Sequence, residues 1–243
     1  MKQVILMCGK MQVGKNKLTE FLQTEFIKKG YTVSIDAFAK GVKDNCKEDF
    51  KQLTYQLNNI AEEIRTNVYN FTNDRDAIFK QSIIAAFEYA VNKLKIMDEN
   101  WYENKTPLTR IILQVYGTEI FRKRVDDCWW AKQALQKILK SNSDIIIFTD
   151  VRFPNEITTI NDILYENQYQ TTSIRIQRNN NDNEFSKHDS ETALDNWMEY
   201  NYIVDNNSDL NELKNSAVTI CNDILNNNTD INYKYLHEII KES

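Results

Sequence analysis

Apolar residues follow two rhythms along this chain. Short unbroken runs, Val4-Ile5-Leu6-Met7-Cys8 and Ile145-Ile146-Ile147-Phe148, are too brief for helices and too apolar for a half-solvated face. They predict strands buried on both sides. Tyr31 to Ile35, Thr171 to Gln177 and Tyr202-Ile203-Val204 read as further strands, the first of these ending at Asp36. Between them the spacing turns helical. The segment from Gly14 to Lys29 predicts a helix closed by Gly30 as its C′ residue. From Ala37 to about Glu103 apolar residues recur three and four apart, as in Leu57, Ile60, Ala61 and Ile64 and again in Ile83, Ile84, Phe87 and Val91. The polar segment Asn70 to Asp76 separates these two groups. Thr106-Pro107 is an N-cap with proline in the first turn of a helix whose stripe is Leu108, Ile111, Ile112 and Val115. Gly117-Thr118 interrupts that pattern. Further helices are expected at Asp126 to Lys140, after Pro154, at Asp209 to Leu225 and at Tyr233 to Lys241. Strands alternating with helices predict an α/β fold with a parallel, doubly wound sheet.

At 243 residues with 42% hydrophobic content, the chain suffices for one α/β domain with an insertion. A net charge of −5 argues against a dedicated nucleic-acid binder but allows a small anionic substrate in one cationic cleft. The four cysteines, Cys8, Cys46, Cys128 and Cys221, lack metal-type or CxxC spacing and read as reduced cytosolic thiols. Nothing resembles a signal peptide or the roughly 20 apolar residues of a membrane span.

The most informative local pattern is Gly9-Lys10-Met11-Gln12-Val13-Gly14-Lys15-Asn16, set between the first strand and the first helix. Glycine, four residues and Gly-Lys in that context form a phosphate-binding loop. Its backbone N–H groups and the helix N-terminus hold phosphate oxygens, and Lys15 reaches the β- and γ-phosphates. The residues from Gly9 to Lys17 are therefore the candidate ATP site. Asn16 stands where Ser or Thr usually ligates the metal.

Ligands in such folds sit at the carboxyl ends of the strands. Asp36 and Lys40 follow strand two, Asp150 and Arg152 strand three, and Arg178 strand four. Asp150 is placed as a carboxylate holding Mg²⁺ directly or through water, and its competing reading is a helix-capping or solvated strand-end aspartate. Arg152 competes with a structural ion pair to Glu156. Arg110 and Gln114, four apart, share a helix face leading to Gly117-Thr118. Arg122 and Arg124 read as solvated charges.

Asp150-Val151-Arg152-Phe153-Pro154-Asn155-Glu156, Gln114-x-x-Gly117-Thr118, Asp126-x-x-x-Trp130 and His188-x-Ser190-Glu191 together resemble the phage deoxynucleoside monophosphate kinases, the T-even type among them. The likeness runs to Asn206-Asn207-Ser208-Asp209-Leu210. In that family the loop often reads Gly-Lys-Asp-Thr, against Gly14-Lys15-Asn16-Lys17 here. Phe38-Ala39-Lys40-Gly41-Val42-Lys43 resembles the segment opening the family's helical insertion, with Gly41 replacing a proline. The resemblance implies a P-loop kinase fold, three-layered α/β/α, with a parallel sheet of about five strands. One domain is expected, its core at 1–36 and 105–243, a monophosphate-binding insertion at about 37–104 and a lid at about 178–190.

It further implies ATP as donor with Mg²⁺, a deoxynucleoside monophosphate as acceptor, and a virus-encoded enzyme in a host cytoplasm. A homodimer is suggested, and neither nucleic acid nor membrane is an expected partner. Lys15, Arg152 and Arg178 are the expected catalytic cations, and Asn16 and Asp150 the metal ligands. Asp36, Lys43, Arg110, Gln114, Gly117, Thr118, Asp126, Trp130 and Arg152 are the expected acceptor-binding set. Rival readings are another small-molecule P-loop kinase, of the phosphomevalonate or dephospho-coenzyme A type, a P-loop ATPase, or a nucleotide-binding regulator.

Overall fold

The first apolar run becomes β1 (Gln3–Cys8), and all six of its residues are buried. A strand covered on both faces needs apolar side chains at consecutive positions, which Val4 to Cys8 supply. The structure, a computed structural model, describes residues 2–66, 81, 85, 106–179, 189–226 and 234–235. After β1 come α1 (Lys15–Lys28), β2 (Val33–Asp36), α2 (Phe38–Thr66) and α3 (Pro107–Gln114). A π-helix (Val115–Val125), α4 (Trp129–Lys140), β3 (Ile145–Val151), α5 (Pro154–Glu166) and β4 (Gln170–Gln177) follow. The short α6 (Asp189–Thr192), β5 (Tyr202–Asp205), α7 (Leu210–Leu225) and β6 (Lys234–Tyr235) complete the order.

The sheet is parallel with strand order β2-β3-β1-β4-β5-β6. The α/β class and the five expected strands are present. β6 is an addition, because Lys234 and Tyr235 pair with Tyr202 and Ile203 where a helix from Tyr233 to Lys241 was expected. Without that pairing β5 would be an edge with unsatisfied ladder groups. Residues 231–233 and 236–243 lie outside the described residues, as do 67–80, 82–84 and 86–105, which carry the expected Ile83–Val91 helix. So do residues 180–188 of the expected lid, His188 among them.

From β1 the chain builds first toward β2 and β3, then crosses to β4 and β5 on the other side. The switch point therefore lies at the carboxyl end of β1, where α/β sheets open a crevice. Ile5, Met7, Ile145, Ile147, Ile174 and Ile176 share one face with Leu18, Leu22 and Phe26 of α1 and Leu213, Ile220 and Ile224 of α7. Val4, Leu6, Ile146 and Phe148 are buried on the other face by the strand's period of two. There α4 and α5 supply Leu135, Ile138, Ile157 and Ile160. Each such fully buried side chain contributes about 1.5–3 kcal/mol.

Thr106 caps α3 as its sequence predicts, its side chain accepting the Thr109 N–H. The helix does not break at Gly117-Thr118. It widens into the π-helix, and the bond that follows it, Asp126 N–H to Phe121 O at 2.9 Å, spans five residues. Such winding is rare and gathers at functional sites. α4 starts at Trp129, later than expected, because the Asp126 carboxylate accepts the Cys128 N–H in a turn ahead of the helix. The chain divides into two compact units, residues 1–41 with 118–243, and residues 42–117. Among the described residues no helix is long and apolar enough to cross a membrane.

Candidate functional site

The glycine loop leaves β1 at Gly9 with φ +144° and enters α1 at Gly14 with φ +108°. Both are left-handed values that a side chain would strain. A Cβ at position 9 would stand 2.4 Å from the Ile176 carbonyl oxygen, and one at position 14 would stand 2.3 Å from Asn206 Nδ2. No side chain caps the start of α1 and no acidic residue lies in its first turn. The helix's first N–H groups are thus left for an anion.

Lys15 is buried, and its Nζ donates to Gly9 O at 2.8 Å and Lys10 O at 2.5 Å. Arg152 Nη1 donates to the same Gly9 O at 3.3 Å. Two cations therefore converge on one carbonyl at the end of the central strand. Burial, aided by the Arg152 charge and opposed by Glu191 and Asp150, lowers the Lys15 ammonium to about 7. Asn16, one residue on, is exposed. Lys17 pairs with Glu20 at 2.9 Å on the surface of α1.

β3 brings up the second half of the site. Leu6 pairs with Phe148 but Cys8 with Val151, so one extra residue bulges from β3 around Thr149-Asp150. A bulge re-aims the strand end, a device common beside active sites. The two Asp150 oxygens accept the N–H groups of Phe38, at 2.7 Å, and Ala39, at 2.8 Å. The carboxylate thus caps α2. Burial raises its pKa, while the two N–H groups and the Arg152 and Lys15 charges pull it down.

Arg152 turns its guanidinium to Glu191, with Nη1 2.8 Å from Oε1. It does not form the ion pair with Glu156 that competes with a functional reading; only its backbone N–H reaches Glu156, at 2.8 Å. Glu156 also takes the Phe153 N–H and pairs with Arg122 at 3.3 Å. Burial pushes the Glu156 carboxyl up to about 7 against these partners. Arg122 is thereby corrected from a solvated charge to a structural one. Its side chain is 8% exposed, lies 3.6 Å over the Phe153 ring and donates to Asn155 Oδ1 at 2.7 Å. Arg124 is exposed, as expected.

Three contacts hold the loop from outside. Asn206 Nδ2 donates to Val13 O at 2.8 Å, while its own N–H is tied to Gln177 O. Met11 N–H donates to Glu191 Oε2 at 3.0 Å. Lys10 Nζ pairs with Asp195 at 3.0 Å, and Asp195 also pairs with Arg175 of β4 at 3.3 Å. None of Glu191, Asp195 and Asn206 was singled out as a site residue. Glu191 and Asn206 do fall within the stretches that carry the family resemblance, which was the available signal.

The remaining expected residues are distributed between the two units. In the first unit, Asp36 accepts the Ala37 N–H at 2.8 Å and faces Lys137 Nζ at 3.4 Å. Asp126 pairs with Lys132 at 2.6 Å, and that bond, with the Cys128 N–H, lowers its pKa. Trp130 is a core residue, 3% exposed and stacked near Phe121, and Thr118 is buried in the π-helix. Arg178 is exposed just beyond β4. In the second unit, Lys43, Arg110 and Gln114 are half-buried and Gly117 is buried. There the Tyr116 hydroxyl donates to the Asp49 carboxylate, linking α2 to the π-helix.

Comparison with known proteins adds a family to this geometry. A family model described as deoxynucleotide monophosphate kinase matches residues 51–217. The match begins beyond the glycine loop and includes Asp150 to Glu156 and Glu191. A deoxynucleoside-5′-monophosphate kinase of Escherichia phage T5 is 36% identical over 72 residues. That alignment spans 28% of this chain and 29% of the phage protein.

Proposed function

Because the chain belongs to the deoxynucleotide monophosphate kinase family, we propose that it transfers the γ-phosphoryl group of ATP to a deoxynucleoside 5′-monophosphate, giving the diphosphate and ADP. The observation that carries this reading is the convergence of Lys15 and Arg152 on the Gly9 carbonyl. Two basic side chains set beside the loop amides and the uncapped start of α1 match a polyanion, and a triphosphate is one.

In this mechanism the loop amides and the open N-terminus of α1 hold the donor phosphates. Lys15 leaves the loop carbonyls for the phosphate oxygens, and Arg152 neutralises charge on the group in transit. The attacking atom is an acceptor phosphate oxygen. With a second pKa of about 6, it is already anionic at neutral pH, so no general base is required. Rate comes from in-line placement and charge neutralisation. Lys43 and Arg110 are assigned to the acceptor phosphate, Gln114 to its base or sugar, and Arg178 to phosphate charge as a third cation. Trp130 and Asp126, committed to the core and to Lys132, are assigned no ligand contact.

The donor set fits a Mg²⁺ ion that keeps most of its waters. Asp150, with both oxygens already accepting N–H groups, would act through water, and exposed Asn16 could offer its amide oxygen. Bound there, Mg²⁺ would supply charge neutralisation on the donor phosphates.

A coupled ADP-release assay over a panel of deoxy- and ribonucleoside monophosphates tests the reading, with Lys15→Ala as control. Acceptor-dependent release lost in the control is expected. Release without acceptor dependence would point to a P-loop ATPase instead.

The lowered Lys15 pKa gives a second expected result. Free Lys15 is mostly neutral at pH 8, since it titrates near 7, and phosphate contact restores its charge. ATP binding at pH 8 should therefore take up about one proton, and affinity should fall up to about tenfold per pH unit above 7. Calorimetry in buffers of different ionisation enthalpy reads the uptake directly. Binding with no proton exchange would contradict it.

A further inference from the structure

We propose that Glu191 is a positioning residue for the transfer step, an inference that rests on the kinase reading above: its carboxylate fixes the Arg152 guanidinium and the Met11 amide of the glycine loop in one arrangement. The two oxygens divide the work. Oε1 receives Arg152 Nη1 at 2.8 Å, and Oε2 receives the Met11 N–H at 3.0 Å. The Glu191 side chain is 4% exposed, so these charge-assisted bonds are made away from water, where they are strongest.

Glu191 is the fixed partner of the pair. Its short helix is held by Asp189, which pairs with Lys123 at 2.9 Å and accepts the Ala193 N–H on its carbonyl. Three residues on from Glu191, the Leu194 carbonyl accepts Arg175 Nη1 at 3.3 Å, and Asp195 pairs with Lys10 at 3.0 Å. Arg152, by contrast, is a long side chain 23% exposed at the strand end. Its Nε and Nη2 donate to nothing among the described residues, which leaves one edge of the fork for phosphate. Arginine's planar fork makes this division natural, with Nη1 spent on anchoring and the rest on the ligand.

A glutamine at 191 keeps the shape but has one acceptor oxygen for two donors. Glu191→Gln is expected to lower kcat by about 10²-fold through misplacement of Arg152, a loss larger than the rise in the KM for ATP that comes from the loosened Met11 amide. In an Arg152→Ala background the same change should cost no more than about twofold, since residues acting as one unit are not additive. Glu191→Asp, which keeps both oxygens and the charge, should recover part of the loss, and it carries the cycle if the glutamine variant does not fold. Full additivity with Arg152→Ala in an active enzyme would overturn the inference and leave the kinase reading intact. Faster turnover with tighter ATP binding in Glu191→Gln would also overturn it, marking the carboxylate as a competitor for the phosphate site. A wild-type protein inactive with every nucleoside monophosphate would sink the kinase reading first, and this inference with it.

Discussion

Arg152→Ala should lower turnover by about 10³-fold, the scale seen when a preorganised cation or donor is removed from a developing charge. In energy this is about 4 kcal/mol of transition-state stabilisation. Arg152 is the cation expected to act on the moving group rather than on bound ATP, because it hangs from the end of β3 and touches the glycine loop only at Gly9 O. The change also leaves Glu191 as a buried carboxylate with Met11 N–H as its remaining hydrogen-bond donor among the described residues, beside the Lys15 charge. Removing one member of a fully buried pair costs about 3–5 kcal/mol, and with Arg152 23% exposed the cost here should fall below that range. Arg152→Lys separates the two effects. A lysine still neutralises Glu191 and restores most of the thermal stability, yet it lacks the fork and stays poor in turnover. Steady-state kinetics beside thermal melts read both numbers. An alanine variant with near-normal kcat would remove Arg152 from the mechanism.

Gly9→Ala should be the most damaging change in the loop for folding. The residue sits at φ +144°, and the new Cβ would stand 2.4 Å from the Ile176 carbonyl oxygen. That oxygen belongs to the backbone of β4, the direct neighbour of β1, so relief requires moving the centre of the sheet. Strain of this kind costs about 3 kcal/mol or more, equivalent to a fall of roughly 10 °C in Tm for a chain of this length. Gly14→Ala differs in kind. Its clash is with the Asn206 side-chain amide, which can swing aside at the loss of the bond to Val13 O. The milder variant should therefore fold and bind ATP weakly, while Gly9→Ala should lose both properties. Equal melting temperatures for the two would refute the distinction.

Much of the architecture was legible because it rests on local patterns. Unbroken apolar runs marked the central strands, Gly9 and Gly14 marked the loop, and Thr106-Pro107 marked a helix start. The strand-end residues Asp150 and Arg152 followed from topology. What escaped was long-range. Arg122 looked like one of three charges in Arg122-Lys123-Arg124, and nothing near it in sequence announces Glu156 or the ring of Phe153. Glu191 followed a polar stretch typical of a solvated loop, and its partners lie at Met11 and Arg152. The π-helix was missed because Gly117 lowers helix propensity, and wider winding leaves no period of its own in a short segment. Asp150 was read first for a metal with a helix cap as the rival, and which helix it caps depends on the bulge that one added residue puts into β3.

The way the glycine loop is held bears on when it can exist. Its sequence is complete by residue 17, long before the residues that support it are made. Its outer supports, Glu191 on Met11, Asp195 on Lys10 and Asn206 on Val13, are among the later parts of the fold to be made. The Ile176 carbonyl against which Gly9 packs also comes late. A nascent or truncated chain ending before Glu191 carries the whole nucleotide motif without the side chains that shape it. ATP affinity should thus emerge only once Glu191, Asp195 and Asn206 have been made, as a property of the closed sheet rather than of the loop that bears the motif.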